Sequence, residues 1–132
     1  MANADFRGKR PLSPHLQIYR LTPTMVMSIA HRITGAALYF GTLLVAAWLA
    51  AAASGPNPYG QVSELYGSWF GRAVLFLYTL ALMHHMLGGV RHLIWDTGRL
   101  IDKDSANRMA LMTLAGSVVL TILIWIVGYA VR

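Results

Sequence analysis

Three long apolar blocks constrain this chain more than any other feature of its sequence. Ile33–Ala53 and Met109–Val131 contain no charged residue, and Ala73–Val90 contains none apart from two adjacent histidines. Each block is close to the roughly 20 apolar residues that cross the hydrocarbon core of a membrane as a helix. We therefore predict an all-α membrane protein that forms a single domain over residues 1–132.

The predicted transmembrane helices cover residues 25–53, 68–95 and 107–131. Residues 1–23 are polar and interrupted by proline, which predicts a short N-terminal segment outside the membrane. Glycine and proline between residues 55 and 60 predict an external loop after the first helix. In the third helix, Thr113, Ser117 and Thr121 recur at every fourth position, which predicts a ridge of small residues for close helix packing.

The basic residues are distributed unevenly along the chain. The net charge is +6, and Lys and Arg concentrate before the first predicted helix and between the second and third, whereas residues 54–69 have none. This asymmetry predicts a cytoplasmic N-terminus and a periplasmic C-terminus. It also argues against a nucleic-acid partner, since no soluble part of the chain is left to carry a basic patch.

Two further features concern compartment and cofactor chemistry. The N-terminus has neither the apolar region of a signal peptide nor the length of a transit peptide, which favours a bacterial inner membrane over a mitochondrial one. The chain contains no cysteine. This excludes disulfides, thiolate metal sites and covalently attached haem on this chain.

Polar residues interrupt the start of the first predicted helix, in SIAHRITG. Ser28, Arg32 and Gly35 have spacings that place them on one face, and His31 lies beside them. Arg32 lies about 13 Å along the helix from Pro23, which is deep for a charged group without a partner. An intramembrane arginine indicates a functional site, and the alternative is a side chain that extends to the headgroups.

The second predicted helix carries four basic residues in ALMHHMLGGVRHLIWD, namely His84, His85, Arg91 and His92. Because the first two helices run in opposite directions, both polar clusters fall on the cytoplasmic side and are able to face each other. Gly88 and Gly89 remove side chains at this level, so a large flat group or another helix can approach the backbone.

Three interpretations of these clusters remain open from the residues alone. A neutral imidazole can supply an axial bond to a b-type haem, with His31, Arg32, Arg91 or His92 neutralising its propionates. The histidines can instead form an interior hydrogen-bonded pair, or part of a proton path. A bare metal ion is disfavoured, because no intramembrane carboxylate is available.

Three segments together, RPLSPHLQIYR, SIAHRITG and HMLGGVRHLIWD, resemble the cytochrome b membrane-anchor subunit of succinate dehydrogenase, respiratory complex II. Their order and separation match over nearly the whole chain. The resemblance implies a three-helix anchor beside a second hydrophobic anchor subunit, carrying an iron–sulfur subunit and a flavoprotein subunit on the inner membrane face. It also implies haem b shared between the two anchors and ubiquinone as the electron acceptor.

The resemblance also implies roles for individual residues. His85 matches the axial ligand of the haem iron, and the partner anchor would supply the second histidine. Ser28 and Arg32 match positions that line the ubiquinone pocket, and His31 and His92 match positions near the haem propionates. His84 receives no role. On this basis the chain is a subunit of an oxidoreductase and has no dehydrogenase active site of its own.

Two further functions remain as alternatives to a succinate-oxidising anchor. A fumarate reductase anchor would carry electrons in the reverse direction. A structural or assembly subunit would bind neither haem nor quinone. A proton-coupled transporter subunit is disfavoured, because the spans contain no carboxylate.

Overall fold

The computed structural model describes residues 20–131, and every regular element in that range is an α-helix. The N-terminal segment predicted over residues 1–23 lies almost entirely outside the described residues. The four helices are α1 (Pro23–Ser54), α2 (Pro56–Gly67), α3 (Trp69–Asp96) and α4 (Lys103–Ala130).

Three of these helices are long and apolar enough to cross a membrane, namely α1, α3 and α4. They contain 32, 28 and 28 residues, and at 1.5 Å per residue each exceeds the roughly 30 Å of hydrocarbon. The prediction of an all-α protein with three membrane-spanning helices is confirmed.

The prediction of a loop after the first span is wrong over Pro56–Gly67, which forms α2. Proline is tolerated in the first turn of a helix, because the amide hydrogens there have no intrahelical partner. Pro56 and Pro58 both lie in that first turn. Gly55, with φ of 111°, makes the sharp turn that separates α2 from α1. The same residues that end one helix therefore begin the next.

Side-chain caps set the starts of α3 and α4. The Ser68 hydroxyl accepts a hydrogen bond from the Gly71 amide at 3.0 Å. The Asp102 carboxylate accepts one from the Ser105 amide at 2.9 Å, and α4 begins at Lys103, four residues before the predicted start. That amide hydrogen bond lowers the pKa of the Asp102 carboxyl. The stabilisation from this cap is therefore fully present at a pH above the ordinary aspartate pKa, and it is lost as the pH falls through the lowered pKa.

The ridge of small residues in α4 packs against its neighbours as predicted. Ser117 and Thr121 are both 0% exposed, and Thr113 is buried as well. Each hydroxyl donates to a carbonyl oxygen of its own helix: Thr113 to Met109, Ser117 to Leu114 and Thr121 to Ser117. The polar groups are thus satisfied internally, and the short side chains allow the helices to approach closely.

α1 and α3 run antiparallel, with an aromatic ring placed over a glycine where they meet. The Tyr78 ring occupies the space that a side chain at Gly41 would need. We call the end of the bundle that contains Pro23, Asp96 and Lys103 the proximal end, and the end that contains Ser54, Trp69 and Ala130 the distal end. Both predicted polar clusters lie in the proximal half.

Candidate functional site

The centre of the proximal half is a stacked pair of histidines, one from each of two helices. The rings of His31 on α1 and His85 on α3 are nearly parallel, at 13°, with centroids 4.0 Å apart. The structure therefore brings together the two polar segments that the sequence placed at the same depth. It also shows which residue of each segment makes the contact.

Two reciprocal hydrogen bonds hold the stacked rings in place. His85 Nδ1 donates to the carbonyl oxygen of His31 at 3.1 Å, and His31 Nε2 donates to the carbonyl oxygen of His85 at 3.2 Å. A carbonyl oxygen only accepts, so each of these ring nitrogens carries the proton. In the neutral rings the lone pair then lies on Nε2 of His85 and on Nδ1 of His31.

Each ring of the pair lies over a glycine of the opposite helix. A Cβ at Gly35 would lie 3.0 Å from His85 Cε1, and a Cβ at Gly88 would overlap the ring of His31. Gly89, by contrast, has open space around it. Of the two glycines in GGVRH, only Gly88 is therefore required for the close approach, and the group that approaches it is the His31 ring.

Two neighbours extend this cluster, His92 toward the proximal end and Thr34 on the opposite side. The His92 ring lies edge-on to His31, with centroids 5.3 Å apart, and edge-on to Trp95 at the same separation. The Thr34 hydroxyl lies 3.5 Å from His85 Nδ1. Sequence reasoning missed Thr34, although its position three residues after His31, one turn further along the same helix face, is a signal that could have found it.

Ser28 and Arg32 lie beside this cluster but do not join it. Arg32 is exposed and Ser28 is half-buried. Neither side chain forms a hydrogen bond or ion pair with another residue in the range 20–131. The two residues are one turn apart on α1, so they form a continuous polar strip on its surface next to the histidines.

Arg91 and His84 point in a different direction from His85. Arg91 is 2% exposed and His84 is 5% exposed. Arg91 lies six residues after His85, which is about 120° around the helix. Its side chain lines a groove of about 290 Å³ between α3 and α4, with Thr113 and Gly116 on the facing wall.

Both of these buried side chains have open hydrogen-bonding positions. His84 Nε2 and the Nε and one terminal nitrogen of Arg91 have no partner among the described residues. The guanidinium carbon of Arg91 lies 5.0 Å from the centroid of the Trp95 ring, a cation–π contact. A buried guanidinium with unpaired nitrogens is costly, so this position is suited to an anionic group.

The cluster offers no cage for a bare metal ion. Within residues 20–131, no group of three or more His, Cys, Asp or Glu side chains is arranged to hold one. A prosthetic group that needs a single protein ligand is a different case, because one imidazole nitrogen is sufficient for it.

Comparison with known proteins identifies the family. The sequence model of the succinate dehydrogenase/fumarate reductase transmembrane subunit matches residues 7–124. The succinate dehydrogenase cytochrome b556 subunit of Paracoccus denitrificans is 43% identical over 123 residues, which cover 93% of this chain and 95% of the relative. The subunit of the same name from Rickettsia felis is 35% identical over 92% of this chain and 95% of its own length.

A mitochondrial relative is also similar. The succinate dehydrogenase cytochrome b560 subunit of Sus scrofa is 37% identical over 101 residues, 74% of this chain and 59% of the relative. The three-helix architecture and these matches lead to one conclusion: the chain belongs to the family of succinate dehydrogenase/fumarate reductase transmembrane subunits, as a membrane anchor of the succinate dehydrogenase complex.

Proposed function

We propose that this chain is the haem b-binding anchor of a succinate:ubiquinone oxidoreductase, and that it forms part of the ubiquinone-reduction site. The observation that carries the proposal is the hydrogen bond that fixes the tautomer of His85. Its Nδ1 is engaged by the carbonyl oxygen of His31, so in the neutral ring Nε2 presents a lone pair. A histidine that binds a metal commonly donates a hydrogen bond from its other ring N–H to a carbonyl or carboxylate oxygen. This bond fixes the tautomer and the orientation of the ring.

His31, the other ring of the stack, does not present a lone pair on Nε2. His31 Nε2 donates to the carbonyl oxygen of His85, so it is not available as a ligand. The lone pair of neutral His31 lies on Nδ1, the ring nitrogen nearer its own backbone, whereas the lone pair of His85 lies on the outer Nε2. His85 is therefore the histidine better suited to hold haem iron. The residues of this chain would hold and orient a haem in this position, which would supply one-electron storage close to the quinone. The second axial histidine would come from the partner anchor.

Arg91, His92 and Arg32 are suited to the carboxylates of such a group. Arg91 has two unpaired nitrogens in a buried position, and a guanidinium pairs well with a carboxylate. His92 lies within the histidine cluster, and Arg32 follows His31 directly in the chain. We assign His31, Arg32 and His92, which lie at or next to the histidine stack, to contacts with the haem propionates. Arg91 is assigned to a propionate that reaches the groove between α3 and α4.

The strip formed by Ser28 and Arg32 is proposed as this chain's part of the ubiquinone pocket. Reduction of a quinone places negative charge on its oxygens before protons are taken up. A hydroxyl donor and a fixed cation stabilise that charge. Neither side chain has a partner among residues 20–131, which supports a role in binding the substrate.

The fold also supports the proposed partners and orientation. α1 buries only Met27, Gly41 and Ala51, so most of its apolar surface is left for lipid or the second anchor subunit. The basic residues near the proximal end favour a cytoplasmic location for that end. The iron–sulfur and flavoprotein subunits would then dock there, and the membrane would be a bacterial inner membrane.

The test of the proposal is a succinate-reduced minus air-oxidised optical spectrum of the purified complex. We expect b-type Soret and α bands that appear on addition of succinate, because the haem would be in electronic contact with the dehydrogenase. A complex that oxidises succinate but shows no haem absorbance would overturn the haem assignment. It would favour the alternative of a haem-free structural anchor.

Replacing Arg32 with leucine should separate the two half-reactions of the complex. We expect quinone reduction to fall about 10- to 100-fold, the effect of losing a hydrogen bond to a charged group. Succinate oxidation with an artificial acceptor should be unchanged, and Arg32→Lys should retain part of the quinone activity. Arg108→Leu, an exposed arginine on α4, is the matched control. Equal loss of both activities in Arg32→Leu would indicate failed assembly and contradict the quinone role.

A further inference from the structure

A large cavity lies at the opposite end of the bundle from the histidines. It has a volume of about 530 Å³ and is bounded by all four helices. α2 contacts α1 and α3 but, within residues 20–131, does not contact α4. The cavity therefore opens sideways between α2 and α4 as a cleft, which we call the distal cleft.

One cation lies at the rim of the distal cleft. Arg72 lines it and is exposed, and it is the only Lys or Arg between Arg32 and Arg91. No ion pair or hydrogen bond joins its side chain to another residue of the described range, and this includes Glu64 on α2. In the proposed orientation the distal end faces the translocated side of the membrane, where positive charge is disfavoured. The exposed guanidinium of Arg72 is available there to an anionic ligand.

The walls below Arg72 are suited to an acyl chain. From Arg72 the cleft follows α3 to Thr79, about 10 Å along the helix axis. Trp125 and Tyr129 of α4 form the facing wall, and Trp125 Nε1 donates to the Thr79 hydroxyl at 3.3 Å. The polar groups at the bottom of the cleft are thereby satisfied within the protein, which leaves a mainly apolar surface beneath a cationic rim.

We propose that the distal cleft binds an anionic phospholipid, with its phosphate at Arg72 and the upper part of an acyl chain against Trp125 and Tyr129. The volume lies in the range of sites that enclose small ligands, and aromatic side chains at a membrane interface favour contact with lipid. A free inorganic anion would use the rim alone. An uncharged isoprenoid compound would use the walls but would not need Arg72.

The test is native mass spectrometry of the intact purified complex, titrated with phosphatidylglycerol or with phosphatidylcholine of the same acyl chains. We expect tighter retention of one phosphatidylglycerol per copy of this chain. Arg72→Gln should weaken that retention about fivefold and leave phosphatidylcholine unchanged. Added inorganic phosphate should not compete.

Two further variants keep the test decisive. Arg99→Gln removes an exposed arginine near the proximal end and should retain lipid as the unaltered complex does. Gly128 lines the cleft and has open space around it, so Gly128→Leu should fill the cleft without changing charge and should reduce retention of phosphatidylglycerol. Equal retention in Arg72→Gln and the unaltered complex, equal loss in Arg99→Gln, or competition by inorganic phosphate would each overturn the proposal.

Discussion

Replacing His85 with leucine is expected to remove the b-type absorbance of the complex or to shift its α band. In the stacked pair only His85 has its lone pair on the outer Nε2, and leucine has no group that can replace it. The measurements are the succinate-reduced minus oxidised spectrum and the ratio of haem to flavin in the purified complex.

His84→Leu is the matched control, since it removes the neighbouring histidine of the same helix. His84 is buried inside the helix bundle, and its Nε2 has no partner among the described residues. Replacing an unsatisfied buried polar group with an apolar one is nearly neutral or stabilising, so we expect normal haem content. An assembled His85→Leu complex with an unchanged spectrum would contradict the ligand assignment, as would loss of haem in His84→Leu alone.

The membrane-spanning helices were predictable because hydropathy alone decides them. A segment without charge over about 20 residues has few alternatives to a transmembrane helix. α2 was not predictable by the same logic. Pro56, Pro58 and Gly60 were interpreted as helix breakers, but the effect of a proline depends on its position in the helix, and the first turn accommodates it.

The site was predictable in its depth but not in its contacts. The opposite directions of the two helices placed His31 and His85 at one level. The pairing of each ring with a glycine of the other helix depends on the rotation and register of the helices, which the spacing of residues within one helix does not determine. For the same reason, either Gly88 or Gly89 remained possible until the structure placed Gly88 under His31.

The burial of the two arginines, Arg32 and Arg91, was likewise not predictable from the sequence. The sequence drew attention to Arg32 as the charge too deep to lack a partner, yet Arg32 is exposed on α1 and Arg91 is the buried one. The position of α4 against α3 determines which of the two arginines faces the interior. Helical spacing could have indicated the contact between Arg91 and the Trp95 ring, because Trp95 lies one turn after Arg91.

Replacing Gly88 with alanine is expected to disrupt the histidine stack. The added Cβ would overlap the His31 ring, so the ring has to move, and we expect its hydrogen bond to the carbonyl oxygen of His85 to weaken or break. Overpacking of this kind typically costs about 1–3 kcal/mol. We expect a lower temperature of thermal inactivation for the assembled complex and an altered haem spectrum, because the orientation of His85 depends on the same stack.

Gly89→Ala isolates this effect from the intrinsic preferences of the helix. Both substitutions replace a glycine within α3 and gain a similar helix propensity, about 1 kcal/mol. Only Gly88 has a ring against it, whereas a Cβ at Gly89 meets nothing within 4 Å. The difference in thermal inactivation and haem spectrum between the two variants therefore measures the His31 contact alone. Identical behaviour of the two variants would mean that the stack does not support the site, and the orientation of His85 would then have to depend on the partner anchor.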